Sequence, residues 1–254
     1  MKVLLIGATG NLGLRLVAAL LTHNHTVVAF VRSAQKLQNL VPESIYRQIS
    51  VVQGSAKDSD AIKRAILDAN CDAVVNTAGV AAMAPWAKGD LPEIFKAVVE
   101  GVKDAGEERK KPLRTWFLAG QSVLCYPGTQ SMLSDFIPIF LEHRQNLSLL
   151  HSLPPNSIDW SLLCPNTMIP SSATITVPAS PTSKLSASAT VPPSWKDSWV
   201  RHVPLLGRRV VCAMNASKYK TTLEQNAEFI AADLEAGQSQ WSGKTVGVID
   251  ESNV

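Results

Sequence analysis

Short apolar runs alternate with amphipathic stretches along most of this chain. Val3–Ile6, Thr26–Val31, Ile49–Gln53, Ala73–Val75, Thr115–Ala119 and Thr245–Ile249 have the length and branching of strands and are bounded by turn formers. Between them, Leu14–Leu21, Ser59–Leu67 and Leu91–Ala105 read as helices. The last of these is the clearest, because Leu91, Ile94, Phe95, Val98, Val99 and Val102 recur at helical spacing and predict a core stripe without chemistry. A second stripe, Leu223, Ala227, Ile230, Ala231 and Leu234, predicts a helix near the end. Strand, helix, strand, helix is the rhythm of a parallel sheet covered on both faces, so the expected fold is α/β, a doubly wound parallel sheet.

The first strand runs into Gly7, Gly10 and Gly13 before helix-compatible sequence begins. In such a turn the first glycine permits the bend, the next lets a backbone approach a phosphate, and the third lets helix and strand pack closely. The open N–H groups of the helix start then face an anion. Gly7, Thr9, Gly10, Asn11, Leu12 and Gly13 are therefore candidate cofactor contacts; a turn of purely structural glycines is the competing reading. The second strand ends on Arg32 and Ser33 rather than on an acid. An acid there would accept from a ribose 2′-hydroxyl, whereas arginine suits a 2′-phosphate, which points to NADP over NAD; a plain surface arginine is the alternative. The fourth strand opens into Asn76, Thr77, Ala78 and Gly79, where small residues would let a flat ring lie against the backbone. The fifth ends in Gly120, Gln121 and Ser122, followed by Tyr126, at the end of the sheet where ligands bind.

With 254 residues, 46% hydrophobic and 18% charged, the chain is long enough for one full core, with or without a small appendage. The net charge is only +3, and the one tight basic run, Arg109 to Lys111, follows Glu107 and Glu108 and reads as a solvated loop, so nucleic acid is not an expected partner. Cys71, Cys125, Cys164 and Cys212 are scattered, without the spacing of a metal site or redox dithiol, and read as buried thiols of a reducing compartment. No long apolar run suits a membrane, and the apolar start is broken by glycine too early for a signal segment. A cytoplasmic protein is expected, with the sequons at Asn24, Asn146 and Asn215 as chance matches.

The pieces GATGNLG at 7 to 13, FVRSAQKL at 30 to 37, NTAG at 76 to 79, FLAGQS at 117 to 122, SIDWSLLCPNTM at 157 to 168 and TTLEQNAEFIAADLE at 221 to 235 lie in an order that resembles the short-chain dehydrogenase/reductase superfamily, in its atypical, NmrA-like branch. The resemblance implies a single Rossmann domain over 1–254, with Asp159–Leu163 as a sixth strand and a small C-terminal substrate lobe, the insertion and lobe spanning 170–220. It also implies that Pro165, Asn166 and Thr167 approach the cofactor. The chain departs from the superfamily at its chemistry. Tyr126 is followed four residues later by Gln130 rather than lysine, and no lysine lies between Lys111 and Lys184. Alignment back from Pro165 puts His143 or Arg144 where the branch keeps a lysine. Ser122, Tyr126 and His143 are thus the candidate catalytic residues, with His143 expected to exchange protons near neutral pH.

Pro170 to Ser194 is rich in Ser, Thr, Ala and Pro and reads either as a flexible lid or as a surface loop or partly disordered insertion; Trp195 and Trp199 read as anchors of the lobe, with walls of an aromatic pocket as the alternative. The leading expectation is an NADP-dependent oxidoreductase for a small carbonyl or aromatic substrate, of the kind made in fungal polyketide clusters. A redox-inactive dinucleotide sensor or scaffold and a non-redox isomerase or dehydratase are the alternatives. No metal is expected, and the oligomeric state is left open.

Overall fold

The structure, a computed structural model, describes residues 1–179, 184–204 and 206–253. In chain order its elements are β1 (Lys2–Ile6), α1 (Asn11–Thr22), β2 (Thr26–Val31), α2 (Ala34–Leu40), α3 (Glu43–Tyr46), β3 (Ser50–Gln53), α4 (Ser59–Asp68), β4 (Ala73–Asn76), α5 (Leu91–Arg109) and β5 (Arg114–Leu118). There follow α6 (Leu133–Phe136), α7 (Glu142–His151), β6 (Asp159–Cys164), β7 (Thr167–Ile169), β8 (Leu185–Ala189), α8 (Gly207–Ala216), β9 (Lys220–Thr222), α9 (Leu223–Glu235) and β10 (Lys244–Asp250).

Eight strands form one sheet in the order β3-β2-β1-β4-β5-β6-β10-β8, while β7 and β9 pair separately. All neighbours in the large sheet run parallel except β8, which is antiparallel to β10. The chain winds outward from β1 to β3, then returns to place β4 on the other side of β1. That reversal opens a crevice beyond the carboxyl ends of β1 and β4, the topological switch point of a doubly wound sheet.

Alternation along the strands divides the core between the two faces. Leu4 and Ile6 join the layer of α4, α5 and α7, while Val3 and Leu5 join that of α1 and α9. The stripes of α5 and α9 are buried along their whole lengths. Arg109 differs from its expectation as a loop residue: it is the last residue of α5, and its guanidinium donates to the Cys71 carbonyl. Cys71, Cys164 and Cys212 are buried, but Cys125 is only half-buried.

The stretch read as a lid or surface loop contains β8, which forms the edge of the main sheet. Its sequence, Leu-Ser-Ala-Ser-Ala, hides the strand because a half-exposed edge needs little apolar surface. Residues 180–183 of that stretch lie outside the described residues. Trp199 does not anchor anything, being 79% exposed, whereas Trp195 packs against Tyr126 and Tyr219. Among the described residues, no helix is long and apolar enough to cross a membrane, and no cluster of His, Cys, Asp or Glu could hold a metal ion.

Candidate functional site

The glycine turn after β1 sits at the switch point. Gly7 has φ of 91°, and a Cβ there would meet the Ala78 backbone nitrogen at 2.7 Å. At Gly13 a Cβ would lie 2.1 Å from the Gly7 carbonyl oxygen, so glycine is what lets α1 pack onto the turn. Gly10 is different. Its φ is −83°, open to any residue, and its Cβ would meet only the Gly7 oxygen at 3.3 Å. The fold therefore requires Gly7 and Gly13, while at Gly10 the backbone lies open toward the crevice.

Gly7, Thr9 and Gly10 line a trough of about 430 Å³ that also receives Arg32, Lys36 and Lys57. Lys57 is paired with Glu93 at 2.7 Å and with Asp90, which also lines the trough, so Arg32 and Lys36 are the cations beside the open helix start that suit a phosphate-bearing ligand. Two expected contacts are not available as side chains. Leu12 is buried in the core, and the Ser33 hydroxyl caps α2 by accepting from the Lys36 amide at 3.2 Å. Asn11, the first residue of α1, is exposed beside the trough.

Thr77, Ala78, Gly79 and Val80 border both this trough and a second cavity of about 330 Å³. The cavity is walled mainly by Leu91, Leu118, Ile137, Phe140, Met168 and Trp195, and none of the residues lining it is Lys, Arg, Asp or Glu. The polar side chains among its lining residues are Thr77, Gln121, Ser122, His143, Asn166 and Cys212. Pro165 and Asn166 reach it, and the Pro165 carbonyl accepts from the Gln121 amide at 2.9 Å. Thr167 does not: it starts β7, and its amide donates to the Tyr219 carbonyl.

His143, on the first turn of α7, is 8% exposed, and its Nδ1 is buried without a partner. Burial lowers its pKa to about 4 against a small opposing pull from Glu142. The imidazole is therefore neutral at neutral pH, which overturns the expectation that it exchanges protons there. Ser122 Oγ and Gln121 Nε2 are likewise buried and unpartnered.

Tyr126 does not line the cavity. It is 2% exposed, stacks edge-on against Phe136 and Trp195, and donates its hydroxyl to Asp197 at 3.0 Å. Burial and then the Asp197 hydrogen bond raise its pKa, further from ionising at neutral pH. The chain turns away after Ser122 as Cys125 forms a bridge with Met132 and donates its backbone N–H to the Thr190 carbonyl at 2.8 Å. The candidate set thus splits: Ser122 and His143 share the cavity, and Tyr126 belongs to the packing behind it.

One residue escaped sequence reading. The Glu142 carboxylate, itself buried, accepts from the Ala82 amide at 2.8 Å and from the Gly89 amide at 2.5 Å, and so holds the loop between β4 and α5 at two points. That loop forms the wall shared by trough and cavity. An acid placed directly after the apolar run from Ile137 to Leu141 was its only signal.

Known proteins resemble the chain in sequence family and in fold. A family model described as NAD(P)H-binding matches residues 7–190. Among solved structures, a protein from Lactobacillus casei aligns with a TM-score of 0.67 at 20% identity, over 98% of this chain and 99% of that one. An oxidoreductase from Lactococcus lactis gives 0.62 at 16%, over 98% and 91%. A short-chain dehydrogenase/reductase from Veillonella parvula, solved in complex with NADP, gives 0.61 at 14%, over 99% and 95%. At these identities the likeness establishes the fold alone. No curated protein matches the chain. With most of its length matched by that model and the glycine turn built as described, the chain belongs to the NAD(P)H-binding family.

Proposed function

We propose that the protein is an NADP-dependent oxidoreductase of the atypical short-chain dehydrogenase type, in its NmrA-like branch, working in the cytoplasm on a small carbonyl or aromatic molecule of polyketide type. The observation that carries this reading is the junction of a cationic trough with an uncharged cavity at Ala78 and Gly79. The residues fit a nicotinamide dinucleotide. The open backbone at Gly7 and Gly10 and the start of α1 suit the pyrophosphate, Arg32 and Lys36 suit a 2′-phosphate, and the small residues 78 and 79 leave room for a ring. When bound, the nicotinamide supplies hydride chemistry; the protein supplies binding, orientation and exclusion of water. Ser122 and His143 orient a substrate oxygen, and the apolar walls keep solvent out.

A redox-inactive sensor is favoured by one specific observation: the cavity has no lysine, and its histidine is neutral. Incubation with NADPH and a panel of aromatic ketones decides between these. Loss of the reduced nicotinamide absorbance matched by alcohol product supports the proposal. Turnover without an absorbance change assigns a non-redox isomerisation or dehydration, and tight NADPH binding with no turnover across the panel assigns the sensor.

A further inference from the structure

We propose that the outward face of α8, together with the turn before it, docks the protein on the surface of an anionic lipid bilayer. The inference goes beyond the oxidoreductase reading and does not rest on it. Docking of this kind lies on a bilayer and needs no helix that crosses one.

α8 is apolar on two sides. Gly207, Val211, Cys212 and Asn215 turn inward and are buried. Leu206, just before the helix, and Val210 and Met214 within it follow at four-residue steps along the other side, and are 57%, 43% and 53% exposed. A helix on the surface of a globular protein turns polar side chains to water, so an apolar outer line marks a face that meets something else. The turn Trp199–His202 extends that face. A Cβ on Gly207 would meet the Val200 carbonyl oxygen at 2.1 Å, which sets the backbone of the turn directly against the start of the helix. Trp199 and Val203 are both exposed. Of the twelve exposed large hydrophobic side chains among the described residues, these five fall within residues 199–214.

Charge chooses the occupant. Residues 184–220 carry seven of the chain's 24 Lys and Arg but one of its 21 Asp and Glu, so the remainder of the chain is net acidic. Arg201 pairs with that one acid, Asp197, and Arg208 lies over the rings of Tyr126 and Phe136. Lys196, Arg209 and Lys218 are exposed and make no ion pair among the described residues. A second copy of the chain is a poor match, because a two-fold contact would set this positive face against itself. An anionic bilayer suits both properties: apolar side chains and an indole enter the headgroup region while Lys and Arg meet lipid phosphates. It also demands no complementary shape, which fits side chains that stand out from a helix. Cys212 and Ala216, on the inward side of the same helix, line the uncharged cavity. The helix that meets the bilayer is thus also a wall of the space for an apolar ligand.

The protein is mixed with vesicles of phosphatidylcholine alone, or with about one-third phosphatidylserine, and the bound fraction is read by co-sedimentation. The wild type should bind the anionic vesicles about tenfold or more tighter than the neutral ones, and less tightly as salt rises. The double variant Val210→Ser, Met214→Ser should weaken this binding about tenfold or more, and Arg209→Gln about fivefold, with thermal melts and NADPH affinity unchanged. Arg209→Gln serves alone if the double variant does not fold. No binding of the wild type to anionic vesicles overturns the inference, and so does equal binding by wild type and variants. Binding to soluble poly-L-glutamate as tight as to the anionic vesicles assigns the face to an acidic protein and overturns it. A lipid-free dimer that the double variant dissociates assigns the face to a second copy, with the same consequence. NADPH affinity is titrated on the lipid-free protein, so failure of either reading leaves the other standing.

Discussion

The two halves of the crevice are similar in size and share the wall at Thr77 to Val80, yet they are built on opposite principles. The trough is built on the glycine turn, Gly7 and Gly10 lining it together with the side chains of Arg32 and Lys36, while Lys57 at its edge is paired with Glu93 and Asp90. The cavity is made of side chains, brought from the ends of β4, β5 and β6, from α7 and α8, and from Trp195. A doubly wound sheet provides the first half almost automatically, because the switch point and the glycine turn come with the topology. The second half depends on where distant segments land, so it carries the specificity and is the harder half to read.

Filling the floor of the trough should have the largest effect. Gly10→Val meets no protein obstacle beyond the Gly7 oxygen at 3.3 Å and needs no unusual φ. The variant should fold, with an unchanged circular dichroism spectrum, and lose NADPH affinity by about a hundredfold or more, because the branched side chain occupies the place of close backbone approach. Unchanged affinity in a folded variant would make the trough a structural groove. Gly13→Val is the contrasting control, expected not to fold, since its Cβ would sit 2.1 Å from a backbone oxygen.

Next in size is the charge on the trough wall. A charge-assisted contact contributes about 1.5–3 kcal/mol, so Arg32→Ala should weaken NADPH by roughly tenfold to a hundredfold and change NADH less than about twofold. Equal losses for both cofactors would remove the 2′-phosphate assignment while leaving the trough itself in place.

Much of this contrast was legible in the sequence, and what was not has identifiable causes. The strands and long helices announce themselves because their apolar positions repeat with the period of the element, and the α5 and α9 stripes are buried as spaced. The glycines and Arg32 were legible because backbone sites leave a local signature. Tyr126 misled because proximity to Ser122 along the chain was taken for proximity in space, and a single bridge at Cys125 turns it away. β8 was missed because an edge strand of serine and alanine has no apolar period. Glu142 was missed because its partners are backbone amides 53 and 60 residues away, which no pattern of side chains records.

The cavity half is tested by its histidine. His143→Gln should lower turnover about tenfold, the size of one neutral hydrogen bond to a reacting oxygen. Wild-type turnover should show no inflection near the ordinary histidine value of about 6.5, since the group stays neutral down to about pH 4. The same burial has a stability consequence with a definite sign. The unfolded chain takes up a proton at this histidine below about pH 6.5 while the folded chain does not, so stability is full above that value and falls as pH drops toward 4, by about 3 kcal/mol at most. Thermal melts between those pH values should show a shallower loss in His143→Gln than in the wild type.

A smaller effect, spread over both halves, is expected from the loop they share. Glu142→Gln replaces a carboxylate that accepts from two amides with a group that can accept from only one side and presents N–H to the other. Both NADPH and substrate affinity should fall about fivefold, and the amides of Ala82 and Gly89 should exchange faster in deuterium labelling. A loss confined to the substrate would mean that the wall serves the cavity alone, and the shared-wall picture would fail.

The smallest effect is expected at Tyr126, the candidate that the structure sets behind the cavity wall. Tyr126→Phe removes a hydroxyl that donates to Asp197, but that carboxylate keeps the Ser198 amide at 2.8 Å and the Arg201 guanidinium. The ring still fills its slot between Phe136 and Trp195. The cost should be about 1 kcal/mol of stability, read from a denaturant midpoint, with turnover within about twofold of the wild type. The phenol is also badly placed to donate a proton, since burial and Asp197 both raise its pKa and no lysine lines the neighbouring cavity to oppose them. If Tyr126→Phe abolished turnover while His143→Gln left it intact, the reacting oxygen would have to lie behind the cavity wall rather than in it. The division between a charged half for the cofactor and an uncharged half for the substrate would then be wrong at its chemical centre.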